Sequence, residues 1–231
     1  MKSVYALAAL CLLVLMVVSG CATTTQTKVE VTPGICTFLG EDVCSRLTAG
    51  EKGQAALRWV NPNAQPTQYD KVMIQVIAFV GSDKASPDEQ QTLVDYFQTA
   101  LSDKLASKYP IVDRPGPGVL RIQVAILDAE AATPGVRSVS VVVPQVKLLG
   151  AASSLAREGK FPFSGGAEAA WKITDSMTGQ VLAGAVDRRV GGGSIASAAQ
   201  WQWGDAKNAI DAWAQMTADR LYAYTSGAEK S

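Results

Sequence analysis

The four cysteines are the residues of this chain whose chemistry depends most on where they lie. A cysteine thiol can carry an acyl chain, form a disulfide or bind a metal ion, and its surroundings decide among these outcomes. Cys11 lies inside an apolar run, Cys21 follows that run directly, and Cys36 and Cys44 lie eight positions apart. The positions therefore indicate different chemistry for Cys21 and for the later pair.

Cys21 ends the sequence Val18-Ser19-Gly20-Cys21, which closes an apolar segment that begins at Val4 behind the single basic residue Lys2. The segment holds about fifteen residues, which suits a secretory signal and falls short of the roughly 20 that a membrane-spanning helix needs. The pattern resembles the lipobox of bacterial lipoproteins, in which a peptidase cuts before the cysteine. We predict a signal peptide over residues 1–20 and lipid attachment at Cys21. The alternative is a secreted protein with a chance cysteine at its cleavage site.

The residues after Cys21 bear on localisation. The next residue is Ala22, whereas an aspartate there would resemble the inner-membrane retention signal of enteric-type bacteria. We therefore expect a protein anchored to the outer membrane by its N-terminal lipid and facing the periplasm. The stretch from Ala22 to Pro33 is polar and has no apolar period, so we predict a flexible lipidated tether over residues 21–35.

Cys36 and Cys44 would share the oxidising compartment that the signal peptide implies. A disulfide between them would close a short loop and contribute about 2.5 kcal/mol in the chain-entropy model. Two free thiols are the second interpretation. A metal or redox site is the third, and it lacks further ligands of the usual kind.

Composition argues against several classes of function. Lysine plus arginine and aspartate plus glutamate number 21 each, so the chain has no basic excess for nucleic-acid binding. Histidine is absent, which removes the commonest general base and transition-metal ligand. Gly191-Gly192-Gly193-Ser194 has no following lysine and indicates a hinge or turn rather than a phosphate loop. We predict no catalytic residues, no cofactor and no metal.

The sequence Asp187-Arg188-Arg189 is the first of two candidate interaction features. On a strand, Asp187 and Arg189 would face one side of the sheet and Arg188 the other. The favoured interpretation is an ion pair with a neighbouring strand. The alternative is that Arg188 binds an anionic partner.

Trp201 and Trp203 are the second feature, because they lie between the glycine run and a predicted final helix. Tryptophan is common both in cores and at binding hot spots. Core packing of at least one of them is the favoured interpretation. If both were exposed beside Arg188, the three residues would form a patch for a protein or glycan.

Hydrophobic periodicity predicts the elements that hold these residues. A strand over 69–78, apolar on both sides and so expected inside the sheet, precedes a helix that begins after Ser86-Pro87-Asp88-Glu89 and ends near Lys108. A short strand over 109–112, strands over 120–126 and 136–146, a hairpin over 167–190 and a helix over 205–224 follow. Residues 148–157 suit a short helix or a loop.

This order predicts an α+β fold in which two helices cover one face of a mostly antiparallel sheet, a two-layer sandwich. We expect a loop-rich lead-in over 36–68 packed on the domain, a globular domain over 69–225 and a disordered tail over 226–231.

A family resemblance extends over most of residues 36–225. The chain resembles a bacterial lipoprotein family catalogued only as a domain of unknown function, number 3313. The resemblance rests on Phe38-Leu39-Gly40, Ser45-Arg46-Leu47, Leu57-Arg58-Trp59-Val60-Asn61-Pro62, Tyr69-Asp70-Lys71-Val72, Pro110, Asp113-Arg114-Pro115-Gly116-Pro117-Gly118-Val119-Leu120, Leu127-Asp128-Ala129, Asp175, Thr178-Gly179, Val181-Leu182-Ala183, Asp187-Arg188-Arg189 and Trp203-Gly204-Asp205. It implies no established activity and no catalytic residues, and it does not include the pair Cys36 and Cys44.

These observations favour a non-enzymatic envelope lipoprotein that recognises another envelope protein. A small-ligand or lipid carrier of the outer membrane is the alternative, and it requires a deep apolar cavity. A hydrolase that uses carboxylates is the third hypothesis, and it requires convergent buried carboxylates. A flat exposed aromatic patch would support the recognition module.

Overall fold

The computed structural model of the chain describes residues 24–81, 85–131, 165–191 and 203–228. Several predicted features lie outside these ranges: the signal peptide, Cys21, the strand over 136–146, the segment 148–157, the sequence from Gly192 to Ser194, and Trp201.

The described residues form eight strands and four helices. In chain order they are β1 (Thr24–Thr27), α1 (Pro33–Leu39), α2 (Glu41–Cys44), β2 (Thr48–Ala49), β3 (Leu57–Val60), β4 (Lys71–Ile74), β5 (Ala78–Phe79), α3 (Pro87–Ala106), β6 (Val119–Glu130), β7 (Gly166–Asp175), β8 (Val181–Gly191) and α4 (Gly204–Thr225). A turn of 3₁₀-helix spans Pro66–Gln68.

All eight strands belong to one sheet. Its strand order is β2-β3-β8-β7-β6-β4, with β1 also beside β8 and β5 also beside β6. β4 and β5 run parallel to β6, and every other pairing is antiparallel. The α+β class and the mostly antiparallel sheet are confirmed.

The helix predicted after Ser86 is α3, and its first residue is Pro87. Glu89 closes the capping box, since its Oε2 accepts a hydrogen bond from the backbone N–H of Ser86 at 2.9 Å. The side chains of Leu93, Phe97, Leu101 and Leu105 are buried. They form the apolar stripe that the helical period predicts.

α4 packs beside α3 on the same face of the sheet. Phe97 of α3 stacks on Trp213 of α4 with ring centroids 5.9 Å apart. Trp171 of β7 meets the Trp213 ring edge to face at 5.5 Å. These aromatic contacts join both helices to the sheet, as the two-layer prediction requires.

The N-terminal region departs from the prediction of a flexible tether over 21–35. Thr24–Thr27 is a strand that pairs with Arg188–Gly191, and threonine, being β-branched, suits a strand even in a polar sequence. Thr32 then caps α1, whose first residue is Pro33. The prediction is wrong for residues 24–35, which belong to the folded domain.

The predicted lead-in over 36–68 is also part of the domain rather than a loop-rich addition to it. It contains α2 and strands β2 and β3, and β3 pairs with β8. Together with α1, it covers the second face of the sheet, where Ile35, Leu39 and Val43 pack against Ala170 and Val186. The sheet therefore carries α3 and α4 on one face, as predicted, and the short helices α1 and α2 on the other, which the two-layer prediction did not include.

The strand predicted over 69–78 is wrong in its position and continuity. It is broken into β4 and β5, and β4 ends the strand order instead of lying inside it. The side chain of Val76, in the break, is 85% exposed. None of the helices in the described ranges has the length and apolar content needed to cross a bilayer.

Candidate functional site

Arg188 lies at the centre of a cluster of carboxylates on the second face of the sheet. Its guanidinium lies 3.5 Å from Asp128, 3.4 Å from Glu130 and 3.6 Å from Glu168. Glu168 is the direct neighbour of Arg188 across the β7–β8 pairing. Because three carboxylates already surround this cation, the favoured interpretation as an ion pair between strands fits, and an anionic partner at Arg188 does not.

Partial burial and the neighbouring charges affect the acidity of Glu168. Burial raises the pKa of the Glu168 carboxyl, Arg188 acts to lower it, and the negative charge of Asp128 adds to the rise. Arg188 thus compensates for only part of the cost of burying Glu168. The Arg188 cluster, which we define as Arg188, Asp128, Glu130 and Glu168, carries more negative than positive charge.

A groove of about 1050 Å³ lies over the Arg188 cluster, between the sheet and α1. Its walls combine apolar and charged side chains: Lys28, Glu30, Ile35, Thr37, Phe38, Val80, Leu127, Asp128, Glu168 and Arg188 are among them. We call this concave surface the α1 groove. Its volume is at the upper end of the range of ligand pockets.

Asp187 and Arg189 face the opposite side of the sheet, as the strand alternation predicts. Arg189 Nε donates a hydrogen bond to Asp187 Oδ2 at 2.9 Å. Trp213 Nε1 donates to the same oxygen at 2.7 Å, while the Ala56 N–H at 2.8 Å and the Gln26 side-chain amide donate to Oδ1. Asp187 therefore joins β1, the start of β3, β8 and α4, which is a structural role.

Trp203 is a core residue, with a side chain only 2% exposed. Its Nε1 donates a hydrogen bond to Glu89 Oε1 at 2.8 Å, which connects the start of α4 to the start of α3. The patch of two exposed indoles beside Arg188 therefore cannot include Trp203. Trp201 lies outside the described residues.

Cys36 and Cys44 form a disulfide with their Cα atoms 5.2 Å apart. Cys36 lies in α1 and Cys44 is the last residue of α2, so the bond connects the two short helices. Of the three chemistries predicted for this pair, the structure has the first. The disulfide holds α1 in place as one wall of the α1 groove.

A second concave site lies on the other face of the sheet, under α4. It is a cavity of about 120 Å³ between β3, β7, β8 and α4. Its walls include Val60, Trp171, Ile173, Ala183, Ala185, Met216 and Leu221. We call it the α4 cavity, and its lining is largely apolar.

Two hydrogen-bond donors of the α4 cavity lack a partner in the described part of the chain. The indole Nε1 of Trp171 and the hydroxyl of Tyr224 are buried and make no hydrogen bond to any described residue. Burial raises the pKa of the Tyr224 hydroxyl, so this group stays protonated as a donor. A buried polar group without a partner costs ~1–3 kcal/mol, so a ligand or water that accepts from these donors would recover stability.

Sequence reasoning missed both concave sites. No sequence pattern indicated that the indole nitrogen of Trp171 would lack a hydrogen-bond partner among the described residues. The available signal was the opposite strand, where Ala183 pairs with Ile173, Gly184 with Lys172 and Ala185 with Trp171. Small residues beside a large aromatic ring leave space under a helix.

The part of the chain that the structure describes holds no group of three or more cysteine, aspartate or glutamate side chains placed to bind a metal ion. The carboxylates of the Arg188 cluster instead contact a guanidinium.

Comparison with known proteins identifies a family and two curated relatives. The family model described as "Protein of unknown function (DUF3313)" matches residues 37–217. The "Uncharacterized lipoprotein YdcL" of Escherichia coli strain K12 and that of Escherichia coli O157:H7 are each 28% identical over 132 residues, which is 55% of this chain. The match covers 58% of the length of these relatives. None of these descriptions states a catalytic activity.

Solved structures give a weaker likeness. The PelC dodecamer from Paraburkholderia phytofirmans in space group P6 has 14% identity and a TM-score of 0.39, over 69% of this chain and 95% of that one. Protein XCC0632 from Xanthomonas campestris, of family DUF330, has 13% identity and a TM-score of 0.39, over 74% and 93%. TM-scores of this size support no conclusion about function.

Proposed function

Since the chain belongs to the DUF3313 family of proteins of unknown function, we propose that it is a lipid-anchored envelope protein that recognises a partner protein without catalysing a reaction. Cys21 carries the lipid, the outer membrane holds the anchor, and the α1 groove binds a basic segment of another envelope protein. The observation that carries this proposal is the α1 groove with the Arg188 cluster at its base.

The anchor is supported by the sequence Val18-Ser19-Gly20-Cys21 and by the similarity to uncharacterized lipoproteins. Several acyl chains on one cysteine give an anchor that does not dissociate, since each buried methylene contributes roughly 0.8 kcal/mol. We expect Cys21→Ala to abolish acyl labelling and to release the protein from the membrane fraction. Acyl labelling that persists in Cys21→Ala would contradict the anchor.

The assignment to the outer membrane rests on Ala22 and has its own test. We expect the unchanged protein to sediment with outer membranes on a sucrose gradient. In an enteric host, Ala22→Asp should move it to the inner-membrane fraction, while Ala22→Ser should leave it in place. Inner-membrane sedimentation of the unchanged protein would overturn the assignment.

The charge of the α1 groove favours a basic partner segment. Glu30, Asp128 and Glu168 line it against Lys28 and Arg188, and Glu130 adds a further carboxylate to the Arg188 cluster. The ion pairs around Arg188 fix these side chains before a partner arrives, which lowers the entropy cost of binding. Tethering to the same membrane raises the effective concentration of the partner, so that moderate affinity suffices.

Crosslinking in intact cells can test recognition by the α1 groove. Thr37 is exposed in α1 and lines the groove, and its hydroxyl donates to the carbonyl of Pro33 at 2.9 Å. Thr92 is exposed in α3, on the other face of the sheet, and its hydroxyl donates to the backbone carbonyl of Asp88 at 2.8 Å. A photoreactive p-benzoylphenylalanine placed at position 37 should capture an envelope protein that the matched probe at position 92 does not capture.

The chemistry of the captured segment is the second part of this test. Mass spectrometry should locate the crosslink in a stretch rich in lysine or arginine. Glu30→Lys should lower the yield several-fold through repulsion of that stretch, whereas Asp103→Lys, on α3, should leave it unchanged. Equal capture from positions 37 and 92, or a yield that Glu30→Lys does not change, would overturn the proposal.

A carrier of small molecules is a second candidate function, and the α4 cavity favours it. In the described ranges, the converging carboxylates that a hydrolase could use are those of the Arg188 cluster, and they are only partly buried. Because Arg188 contacts each of them, their arrangement is accounted for without a hydrolytic reaction.

A further inference from the structure

The α4 cavity has the size of a small-molecule site. Its volume of about 120 Å³ approaches that of a cavity of ~150 Å³ that binds benzene in another protein. Ala183 and Ala185 of β8 form its floor, and Met216 and Leu221 of α4 lie on the opposite wall. A ring or a chain of about six carbons fills a space of this kind.

Two polar groups of the α4 cavity, Trp171 Nε1–H and the Tyr224 hydroxyl, are buried and make no hydrogen bond to any residue that the structure describes. They come from opposite walls, β7 and α4. An indole N–H can only donate. A purely apolar ligand would leave it unpaired, so the ligand needs an acceptor oxygen.

The charged residues that line the cavity favour an anion. Arg58 of β3 and Arg220 of α4 are among them, and the described lining residues include no aspartate or glutamate. Arg220 is held in place by a hydrogen bond from its Nε to the carbonyl of Gly53 at 3.0 Å. Guanidinium groups beside an apolar space favour a negative head group over a positive one.

We propose that the α4 cavity is a binding site for a small amphipathic carboxylate, with an apolar body of about six carbons between β8 and α4. Trp171 Nε1–H and the Tyr224 hydroxyl donate hydrogen bonds to the carboxylate, and Arg58 and Arg220 supply the positive field. The site lies on the face of the sheet opposite to the α1 groove, so it is independent of partner recognition there.

Fluorine NMR of the mature lipidated protein in lipid nanodiscs, labelled with 5-fluorotryptophan, tests this site. The chain has five tryptophans, and Trp171→Phe and Trp203→Phe assign the two resonances that matter. Hexanoate is the probe, and hexylammonium and acetate are its matched controls for charge and for the apolar body. Hexanoate should shift the Trp171 resonance saturably and leave that of Trp203, which pairs with Glu89, in place.

The donors and the charge are tested by conservative variants. Tyr224→Phe removes only the hydroxyl and should weaken hexanoate binding about tenfold, because a hydrogen bond to a charged group is lost. Arg58→Gln should weaken binding of hexanoate but not of 1-hexanol. Hexylammonium and acetate should give no saturable shift.

Three results would overturn the proposal. The first is a change in fluorine chemical shift that rises linearly with hexanoate concentration and is equal at Trp171 and Trp203. Such a change would mean a bulk effect of hexanoate and a cavity filled by water. The second is equal binding of hexylammonium. The third is unchanged hexanoate affinity in Tyr224→Phe when thermal unfolding shows that this variant is folded.

Discussion

The indole of Trp213 donates a hydrogen bond to the carboxylate of Asp187 at 2.7 Å, and both side chains are completely buried. The bond connects the last helix to the central hairpin. Arg189 and the backbone N–H of Ala56 donate to the same carboxylate. A single buried anion thus holds the helical layer and the β3 side of the sheet together.

Asp187→Asn should lower the free energy of unfolding by about 3 kcal/mol. The asparagine amide keeps the shape of the carboxylate but removes the negative charge that pairs with Arg189. Its NH₂ group would also face groups that donate hydrogen bonds to Asp187, so that donors would face donors. Urea unfolding followed by tryptophan fluorescence measures the change.

Asp211→Asn is the matched control, because Asp211 accepts a hydrogen bond from the Tyr96 hydroxyl at 2.9 Å at an exposed position. We expect it to cost less than about 1 kcal/mol. Equal effects of the two substitutions would mean that Asp187 does not hold the layers together.

The disulfide between Cys36 and Cys44 should contribute about 2.5 kcal/mol to stability by closing a short loop in the unfolded chain. A reducing agent should lower the free energy of unfolding of the unchanged protein by this amount and leave the Cys36→Ser/Cys44→Ser variant unaffected. Alkylation of the folded protein should label neither cysteine before reduction and both afterwards. Stoichiometric labelling of both before reduction would contradict the bond.

Asp175 should make stability depend on pH in the acid range. Burial acts to raise the pKa of its carboxyl, but hydrogen bonds from Thr178, Tyr69 and Met177 outweigh burial and lower this pKa. A lowered pKa in the folded state stabilises the fold above the unfolded pKa of ~3.9, and this stabilisation is lost as the pH falls through the folded pKa.

The measurement compares urea unfolding of the unchanged protein and of Asp175→Asn between pH 7 and pH 2. The stability advantage of the unchanged protein should be constant down to about pH 5 and then shrink as the pH falls through and below ~4. Asp103→Asn, at an exposed position of α3, controls for the lost charge. An advantage of Asp175 that does not change with pH would rule out this linkage.

The elements that the sequence predicts well are those specified by neighbouring residues. Ser86, Pro87 and Glu89 fix the start of α3 within one turn, and Phe97 and Leu101 follow at helical spacing. The hairpin of β7 and β8 is equally local, because its two strands are joined by a short turn. The prediction that at least one of Trp201 and Trp203 packs in the core is confirmed by Trp203.

The features that the sequence does not predict depend on distant residues. Thr24–Thr27 becomes a strand only because Arg188–Gly191 offers backbone partners far along the chain. The α1 groove and the α4 cavity likewise need β8 to meet α1 on one face and α4 on the other. Such spaces have no local pattern, since they arise where small residues of one element face larger residues of another.

Gly184 of β8 is such a small residue, and it lies directly against Val43 of α2. A Cβ atom added at Gly184 would lie 2.4 Å from Cγ1 of Val43, a buried residue of α2. Gly184→Ala should therefore lower the free energy of unfolding by about 1–3 kcal/mol, because α2 must move away from the sheet.

Val43→Ala removes the methyl group that an alanine at position 184 would strike. The double variant should therefore lose less stability than the sum of the two single variants, with a coupling energy of at least ~1 kcal/mol in a double-mutant cycle. Gly116→Ala is the control, since its added Cβ would lie 3.7 Å from the nearest heavy atom, a methyl carbon of Val119. Additive losses at Gly184 and Val43 would show that α2 does not lie on this face of β8, which would also remove the support for α1 as a wall of the α1 groove.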